Sequence, residues 1–444
     1  MTDLLYIGAT GVRTYQSALS TTSENIANSG TVGYARRAVQ VAEIPGTKGL
    51  RLSGNGSIAS AITRSANEFR NTEVRTAGSD LARSEAGVVW LGRIEQGLTG
   101  NQLGAQLTAF FNAAQSVAAD PAAVAPRAVM IETASTLANA FTATGRALDT
   151  AFGDLRQTGT DAARDLNDLA AQLYQINQGL ARADDGSAMQ MSMLDERDRL
   201  LDSMSALVDI NVTFDEQNRA IVRAGGSAGP VLVDAAGAGQ VTFQADPTTG
   251  ASQFQMHRNA TTTSIPVQGG AFAGIAEGAQ RISDARDALN DLATRFVAGV
   301  NAVQADGRDL DGVAGAPIFA AGNPPTEITL ALTDPRGIAA AAPGEGTRGN
   351  GNMEALAALR TAQAFEGGLS DTVTANAAAL AARKNVAAAQ GSIRDAAVAA
   401  RESVSGVDLD ESAVDLIRFQ QAYQASSRVI QVARETFQSI LDIS

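Results

Sequence analysis

Each end of this chain carries an apolar heptad. Leu5, Val12, Leu19 and Ile26 fall every seven residues near the N-terminus, with Gly8, Tyr15 and Thr22 on a companion register. Near the C-terminus Leu416, Tyr423, Ile430 and Phe437 repeat every seven, with Phe419, Ser426, Ala433 and Ile440 beside them. Such spacing draws one apolar stripe along a helix, and the stripe asks for a partner helix. A stripe at each end predicts that the termini pair with each other, as a helical stalk outside whatever the middle builds.

Between the ends the period changes twice. Leu166, Leu169, Leu173, Ile176 and Leu180 step by three and four, which is helical. Val208, Ile210, Val212 and Phe214 then alternate strictly, the mark of a half-buried strand. The chain stays rich in Gly, Thr, Asp and Pro to about Gly270, and helical spacing resumes with Ile282, Leu289, Phe296 and Val303. Residues 31–63 read as extended or irregular. Asp120-Pro121 reads as a helix start, with Asp as N-cap. Asp408 and Glu411 stand three apart, like a capping box. The expected fold is mainly α with a β insert. Residues 1–62 and 404–444 form the coiled-coil-like stalk of paired terminal helices. Residues 63–207 and 271–403 form a central long-helix bundle, and 208–270 one small inserted β domain.

The chemistry is sparse. The net charge of −13 argues against a nucleic-acid partner, because phosphate binding needs a basic surface. There is no cysteine, so disulfides, thiolate metal sites and thiol nucleophiles are excluded. No apolar run reaches the ~18 residues of a membrane span, and no membrane partner is expected. The start lacks a basic n-region and an apolar h-region, which predicts a cytosolic chain or one exported without a cleaved signal. The single histidine, His257, lies in a polar strand-like run and reads as a surface residue. Asp195-Glu196-Arg197-Asp198 reads as a solvated helix face with local ion pairs. Asp306–Gly312 resembles a calcium loop, but placing Gly312 sixth puts Gly307 first and Ile318 twelfth, where oxygen ligands are needed. It reads as a turn cluster. No catalytic residue, metal site or cofactor is expected, and an enzyme is not.

Two motifs carry a resemblance. Ser23-Glu24-Asn25-Ile26-Ala27-Asn28, then Gly33-Tyr34-Ala35-Arg36-Arg37, is similar to the N-terminal signature of flagellar rod, hook and hook-associated proteins, with Ala35 for the usual Thr. Ser405-Gly406-Val407-Asp408-Leu409-Asp410-Glu411, then Leu416 to Ala425, resembles the hook-associated branch of that family more closely. Asp120-Pro121-Ala122, the Leu194–Leu201 run and the spaced Asn301, Gly307, Asp309, Gly312, Gly315 and Phe319 agree, with Gln304 where a histidine is usual.

The resemblance implies a structural, self-assembling junction protein between hook and filament, exported through the flagellar type III apparatus to the extracellular flagellum. It implies as partners other copies of itself, the hook protein, a second junction protein, and an export chaperone at the C-terminal helix. The terminal heptads are the expected assembly residues. The alternatives are another axial flagellar protein of hook or rod type, or an exported adhesin on a helical stalk.

Overall fold

The structure is a computed structural model that describes residues 2–44 and 56–441. Its first helix, α1 (Thr2–Ala27), lies along its last, α9 (Leu409–Leu441). Against α1 packs an antiparallel hairpin, β1 (Arg37–Glu43) with β2 (Ser57–Arg64). The hairpin falls in the stretch read as extended or irregular. The alternation of Val39 and Val41 is its signal, and a shift of register after Gln40 breaks that alternation halfway. The Thr14 hydroxyl donates to the Ser57 carbonyl at 2.9 Å and ties the hairpin to the helix.

The body begins at α2 (Glu68–Gly100), whose N-cap Asn67 accepts from the Phe69 and Arg70 amides at 3.0 and 3.3 Å. Then come α3 (Leu103–Ala119), α4 (Val124–Leu180) and α5 (Ala188–Leu207). The expectation of a helix start at Asp120 is corrected. The Asp120 amide bonds back to the Ser116 carbonyl and closes α3, while α4 begins at Val124 with no side-chain cap. Pro121 has no N–H to continue the ladder. Its carbonyl instead accepts from Arg127 Nε at 2.7 Å.

The β insert holds two antiparallel sheets. One is β3 (Ile210–Phe214), β4 (Ala220–Ala224), β5 (Val231–Asp234) and β6 (Gly237–Ala238), in that order. The other is β7 (Gln240–Ala245), β8 (Ser252–Arg258) and β9 (Thr261–Ser264). Two asparagines of α4 pin them by pairing with a strand's backbone. Asn177 bonds both the amide and the carbonyl of Ala220 at 2.9 Å, and Asn167 bonds those of Val241 at 2.7 and 2.9 Å. His257 is exposed on β8, its ring nitrogens 3.0 Å from the Thr242 hydroxyl and 2.9 Å from that of Thr262.

After α6 (Gly270–Asp306) a loop-rich stretch carries β10 (Phe319–Ala320) and β11 (Thr329–Leu330). Asp309 accepts from the Asp311 and Val313 amides, both at 2.9 Å, as a turn residue. Asn301 pins the loop through the Ile318 and Phe319 amides and the Phe319 carbonyl. Gln304 is buried and bonds the Gly337 carbonyl at 2.7 Å and the Ala339 amide at 3.1 Å. Helices α7 (Gly351–Gln363) and α8 (Phe365–Ser405) complete the body.

The few aromatic residues are concentrated in one core. Phe296 sits among Phe110, Phe111, Phe141, Phe319 and Phe365, with centroids 5.3–6.2 Å apart. Such ring contacts add to area burial. The core draws on α2, α3, α4, α5, α6 and α7, the insert and the start of α8. No described helix is long and apolar enough to cross a membrane.

A stalk that shares nothing with this core has only its own seam, the hairpin and the polar contacts at its base to hold it. Hydrogen exchange on the isolated chain is expected to be fast along α1 and α9 and slow along α4 and α6. Equal protection of the two regions would count against this partition.

Candidate assembly site at the junction of stalk and body

The seam between α1 and α9 is built from small residues. A Cβ placed on Gly8 would stand 2.6 Å from Ile430 Cγ1 and 3.3 Å from the Ser426 carbonyl. One on Gly11 would stand 2.7 Å from Ser426 Oγ. The missing side chains let the two backbones approach closely. Ala18, Thr21, Thr22 and Asn25 continue the buried face of α1, and Tyr15 meets Phe419 with centroids 6.5 Å apart.

The α1 stripe of Leu5, Val12, Leu19 and Ile26 is not the centre of this seam. All four are half-buried flanks, and Gly8, Gly11 and Ala18 lie between the helices. On α9 the half-buried residues Leu416, Phe419, Tyr423 and Ile430 face α1, with Ala433 buried. Phe437 is exposed, and the Ile440 side chain lies outside the described residues.

The motif residues form a clasp at the base of the stalk. Asn25 acts as a strand partner: its Nδ2 donates to the Arg37 carbonyl at 2.8 Å and its Oδ1 accepts from the Arg37 amide at 3.0 Å. The second lone pair of that oxygen accepts from the Tyr34 hydroxyl at 2.8 Å. Burial pushes the Tyr34 phenol up, which keeps it a donor. Asn28 donates to the Glu24 carbonyl at 2.9 Å, and Ile26 and Ala27 fill the last helical turn. Gly33 has φ +81°, and a Cβ there would meet Arg199 Cγ at 2.6 Å. Gly406 carries α8 into an extended turn, its amide bonded to the Glu402 carbonyl at 2.7 Å, and Val407 follows half-buried. Asp408 caps α9 by accepting from the Asp410 and Glu411 amides at 2.8 and 3.1 Å. The Glu411 side chain pairs with Arg36 instead of turning back to its own helix. Leu409, Asp410 and Glu411 are exposed.

Beneath the clasp lies an ionic cluster, where the sequence was read as a solvated helix face. That reading is corrected: Asp195, Arg197 and Asp198 are 8%, 5% and 7% exposed. Arg37 reaches Asp195 at 2.8 Å, and Arg64 reaches both Asp195 and Asp198. Arg197 pairs with Asp198 at 2.8 Å and stacks over Phe214 at 4.0 Å. Arg75 contacts Glu68 at 2.7 Å and Asp202 at 3.3 Å, and Arg401 closes on Asp202 at 2.6 Å. The partners of α5 come from β1, β2, α2 and α8, so a reading local to one helix could not supply them. The usable signal was the presence of arginines at Arg36, Arg37, Arg64 and Arg75 in the segments that flank the hairpin.

The two buried aspartates differ. Burial pushes the Asp195 pKa up, against the hydrogen bond from Arg37 and the charges of Arg64 and Arg37. Burial also opposes the Asp198 charge. There the charges and hydrogen bonds of Arg197 and Arg64 outweigh it and hold the pKa below the usual carboxylate range. Asp195 Oδ1 and Arg64 Nη1 lie 3.3 Å apart, yet neither has a hydrogen-bond partner. They attract by charge alone. Beside the cluster a cleft of about 550 Å³ opens between residues 29–35, Arg199 and residues 401–408. Among the described residues no group of acidic, His or Cys side chains is placed to hold a metal ion.

Two stretches of the chain match known families. Residues 91–319 match the model of the flagellar hook-associated protein FlgK helical domain, and residues 401–443 that of the flagellar basal body rod FlgEFG protein C-terminal region. A flagellar hook-associated protein 1 from Salmonella typhimurium is 26% identical over 73% of this chain. The chain spans 60% of that relative's length. The protein of that description from Escherichia coli is 23% identical over the whole of both chains, and that from Bacillus subtilis 22% over 96% of this one. The solved structure of the flagellar hook junction protein FlgK from Burkholderia pseudomallei superposes with a TM-score of 0.50 and 22% identity, over 57% of this chain and 47% of that one. It shares the fold.

Proposed function

The chain belongs to the FlgK family of flagellar hook-associated proteins, and from that membership we propose that it is a structural, non-catalytic component of the bacterial flagellum that joins hook to filament. The observation that carries this reading is the stalk. Two paired helices cannot bury both of their faces. Tyr6 on α1 and Val414, Ile417, Val432 and Phe437 on α9 remain more than half exposed. Apolar residues in such number on a thin element mark an interaction surface. Other copies of this chain, the hook protein and a second junction protein are the partners that fit it. The functional site is then the clasp and seam, Asn25 to Arg37 with Gly406 to Glu411.

The second reading is another axial flagellar protein, favoured by the rod-type match at residues 401–443. The helical-domain match over residues 91–319 favours a junction protein over it, and over an adhesin on a stalk. Electron microscopy of cells lacking the protein separates these readings. Hooks without filaments, with flagellin shed into the medium, are expected. Normal filaments would refute the junction role, and absent hooks would favour a rod or hook protein.

The protein reaches the extracellular flagellum through the type III export apparatus. Before export the stripe from Leu416 to Phe437 is a liability, and a helical chaperone groove suits an amphipathic helix of this spacing. Titration with the cell's own flagellar chaperone is expected to give binding to the full chain and none to a truncation ending at Ser403. Equal affinity for both would exclude the C-terminal helix as the docking site.

A further inference from the structure

The outer edge of β7 is covered at one end and bare at the other. A strand turns the N–H and C=O of alternate residues to the same side. The even-numbered residues of β7 face β8, and just past the strand the Asp246 amide continues that pattern by donating to the Ala251 carbonyl at 2.8 Å. The odd-numbered residues, Val241, Phe243 and Ala245, face outward. Asn167 of α4 takes both groups of Val241, at 2.7 and 2.9 Å, as a neighbouring strand would. Among the described residues nothing takes those of Phe243 or Ala245.

The helix accounts for the difference. Seven residues advance an α-helix by about 10.5 Å along one face, so Asn167, Thr160 and Gly153 stand in a row on α4. The row runs beside β7 in the opposite sense: Asn167 sits at Val241, and the turns from Gly153 to Thr160 face Phe243 to Ala245. The asparagine is long enough to reach the edge. Thr160 turns its hydroxyl back to the Arg156 carbonyl at 2.8 Å, and Gly153 has open space where a Cβ would be. Between helix and edge this leaves a groove of about 460 Å³, with part of the Phe243 ring as its apolar wall.

Unpaired backbone groups on a strand edge are a template for another extended chain. Edges are commonly blunted by a charge, a proline or a bulge. The segment Gln240–Ala245 has none of these, and its pairing with β8 runs without a register shift. The charge of the occupant follows from Arg156, the one charged side chain among the described residues that line the groove. The nearest carboxylates in sequence are taken. Asp154 faces Arg93 at 4.0 Å, and Asp161 takes Arg164 at 2.8 Å and Gln157 at 3.0 Å. Arg156 is exposed and pairs with none of the described carboxylates. Its planar fork matches a carboxylate in geometry as well as charge.

We propose that the β insert carries a peptide-binding site here. An extended acidic segment of a partner protein adds to the outer edge of β7 as a further strand, bonds the amides and carbonyls of Phe243 and Ala245, and sets a carboxylate against Arg156. The site is built from α4 and β7 alone, and neither terminal helix takes part.

The probe is a synthetic library of fluorescein-labelled hexapeptides, in which Val, Ile and Thr alternate and one Glu occupies each position in turn. It is titrated onto the full-length chain and read by anisotropy. Fluorescence of Trp90, the chain's one tryptophan and part of the core, reads the fold of the body. Binding of at least one member is expected. Replacing its Glu by Lys is expected to weaken it by about tenfold or more, and Arg156→Glu in the chain to reverse that order. Gly153→Phe fills the groove from a position where a side chain displaces nothing, and is expected to abolish binding with the Trp90 thermal transition unchanged. Methylating alternate peptide nitrogens separates strand addition from plain charge attraction. In one register the methyl groups fall on the edge of β7 and binding is lost; in the other they face solvent and binding stays. Equal tolerance of both registers overturns the proposal. So does the failure of every library member at millimolar concentration, or an affinity that ignores Gly153→Phe. If that variant does not fold, the Arg156 reversal and the two methyl registers decide. The measurement concerns the body alone, so its outcome is independent of whether the protein joins hook and filament.

Discussion

Asp198→Asn is expected to destabilise the folded chain by about 3–5 kcal/mol at neutral pH, the usual cost of removing one partner from a buried ion cluster. Its carboxylate is the shared countercharge of Arg64 and Arg197, with Arg75 3.8 Å away. Without it three guanidiniums crowd one another at a buried site. The sign of the pH dependence follows from the depressed pKa of Asp198. The carboxylate's contribution is complete above the free-aspartate value of about 3.9, and it is lost as pH falls through the lower folded value. Asp195 runs the other way. Its pKa is raised, so lowering the pH through that raised value favours the fold. Urea titration at neutral pH and at about pH 3 checks both. Asp198→Asn should lose stability at neutral pH and show a smaller further loss in acid, and Asp195→Asn should lose markedly less. An unchanged urea midpoint for Asp198→Asn at neutral pH would sink the argument.

Ile430→Asp is expected to separate the stalk helices and abolish assembly while the body stays folded. Ile430 lies against Gly8, where the backbones are close and a charge has no partner. The lost packing and the unpaired carboxylate together cost about 2 kcal/mol or more, even at a half-buried position. A two-helix seam has little else to offset it. The expected observation is a monomer that cannot restore filaments to cells lacking the protein, with an unchanged Trp90 transition. A lowered transition would mean that α9 supports the body after all.

Much of this fold was legible because its signals are periodic and local. The C-terminal spacing of Leu416, Tyr423 and Ile430 gave a real helix face, and the alternation from Val208 to Phe214 marked the turn into the β insert. The N-terminal stripe was shifted in phase for a physical reason. Hydrophobicity identifies large side chains, whereas this seam is set by their absence at Gly8 and Gly11. Asp120-Pro121 misled because the same residues suit the end of one helix and the approach to the next. Of the ionic cluster the sequence reading held only the local pairs, such as Arg197 with Asp198, and missed its burial and its distant partners. Asp195 and Asp198 look like surface residues until Arg37, Arg64 and Arg75 arrive from elsewhere in the chain, and nothing periodic announces a tertiary ion pair.

The pairing of the first helix with the last also sets the order in which this molecule can become whole. The partners are separated by almost the entire sequence: α1 ends at Ala27 and α9 begins at Leu409. Closing so long a loop is entropically costly and rewards the chain only once both ends exist. The body can gather around its phenylalanines while the chain is still being made, because domains tend to fold as units. Helix α1, made well before α9, must wait for it. For most of the molecule's early life its opening segment is a strip without a counterpart, and the seam is the last contact to close.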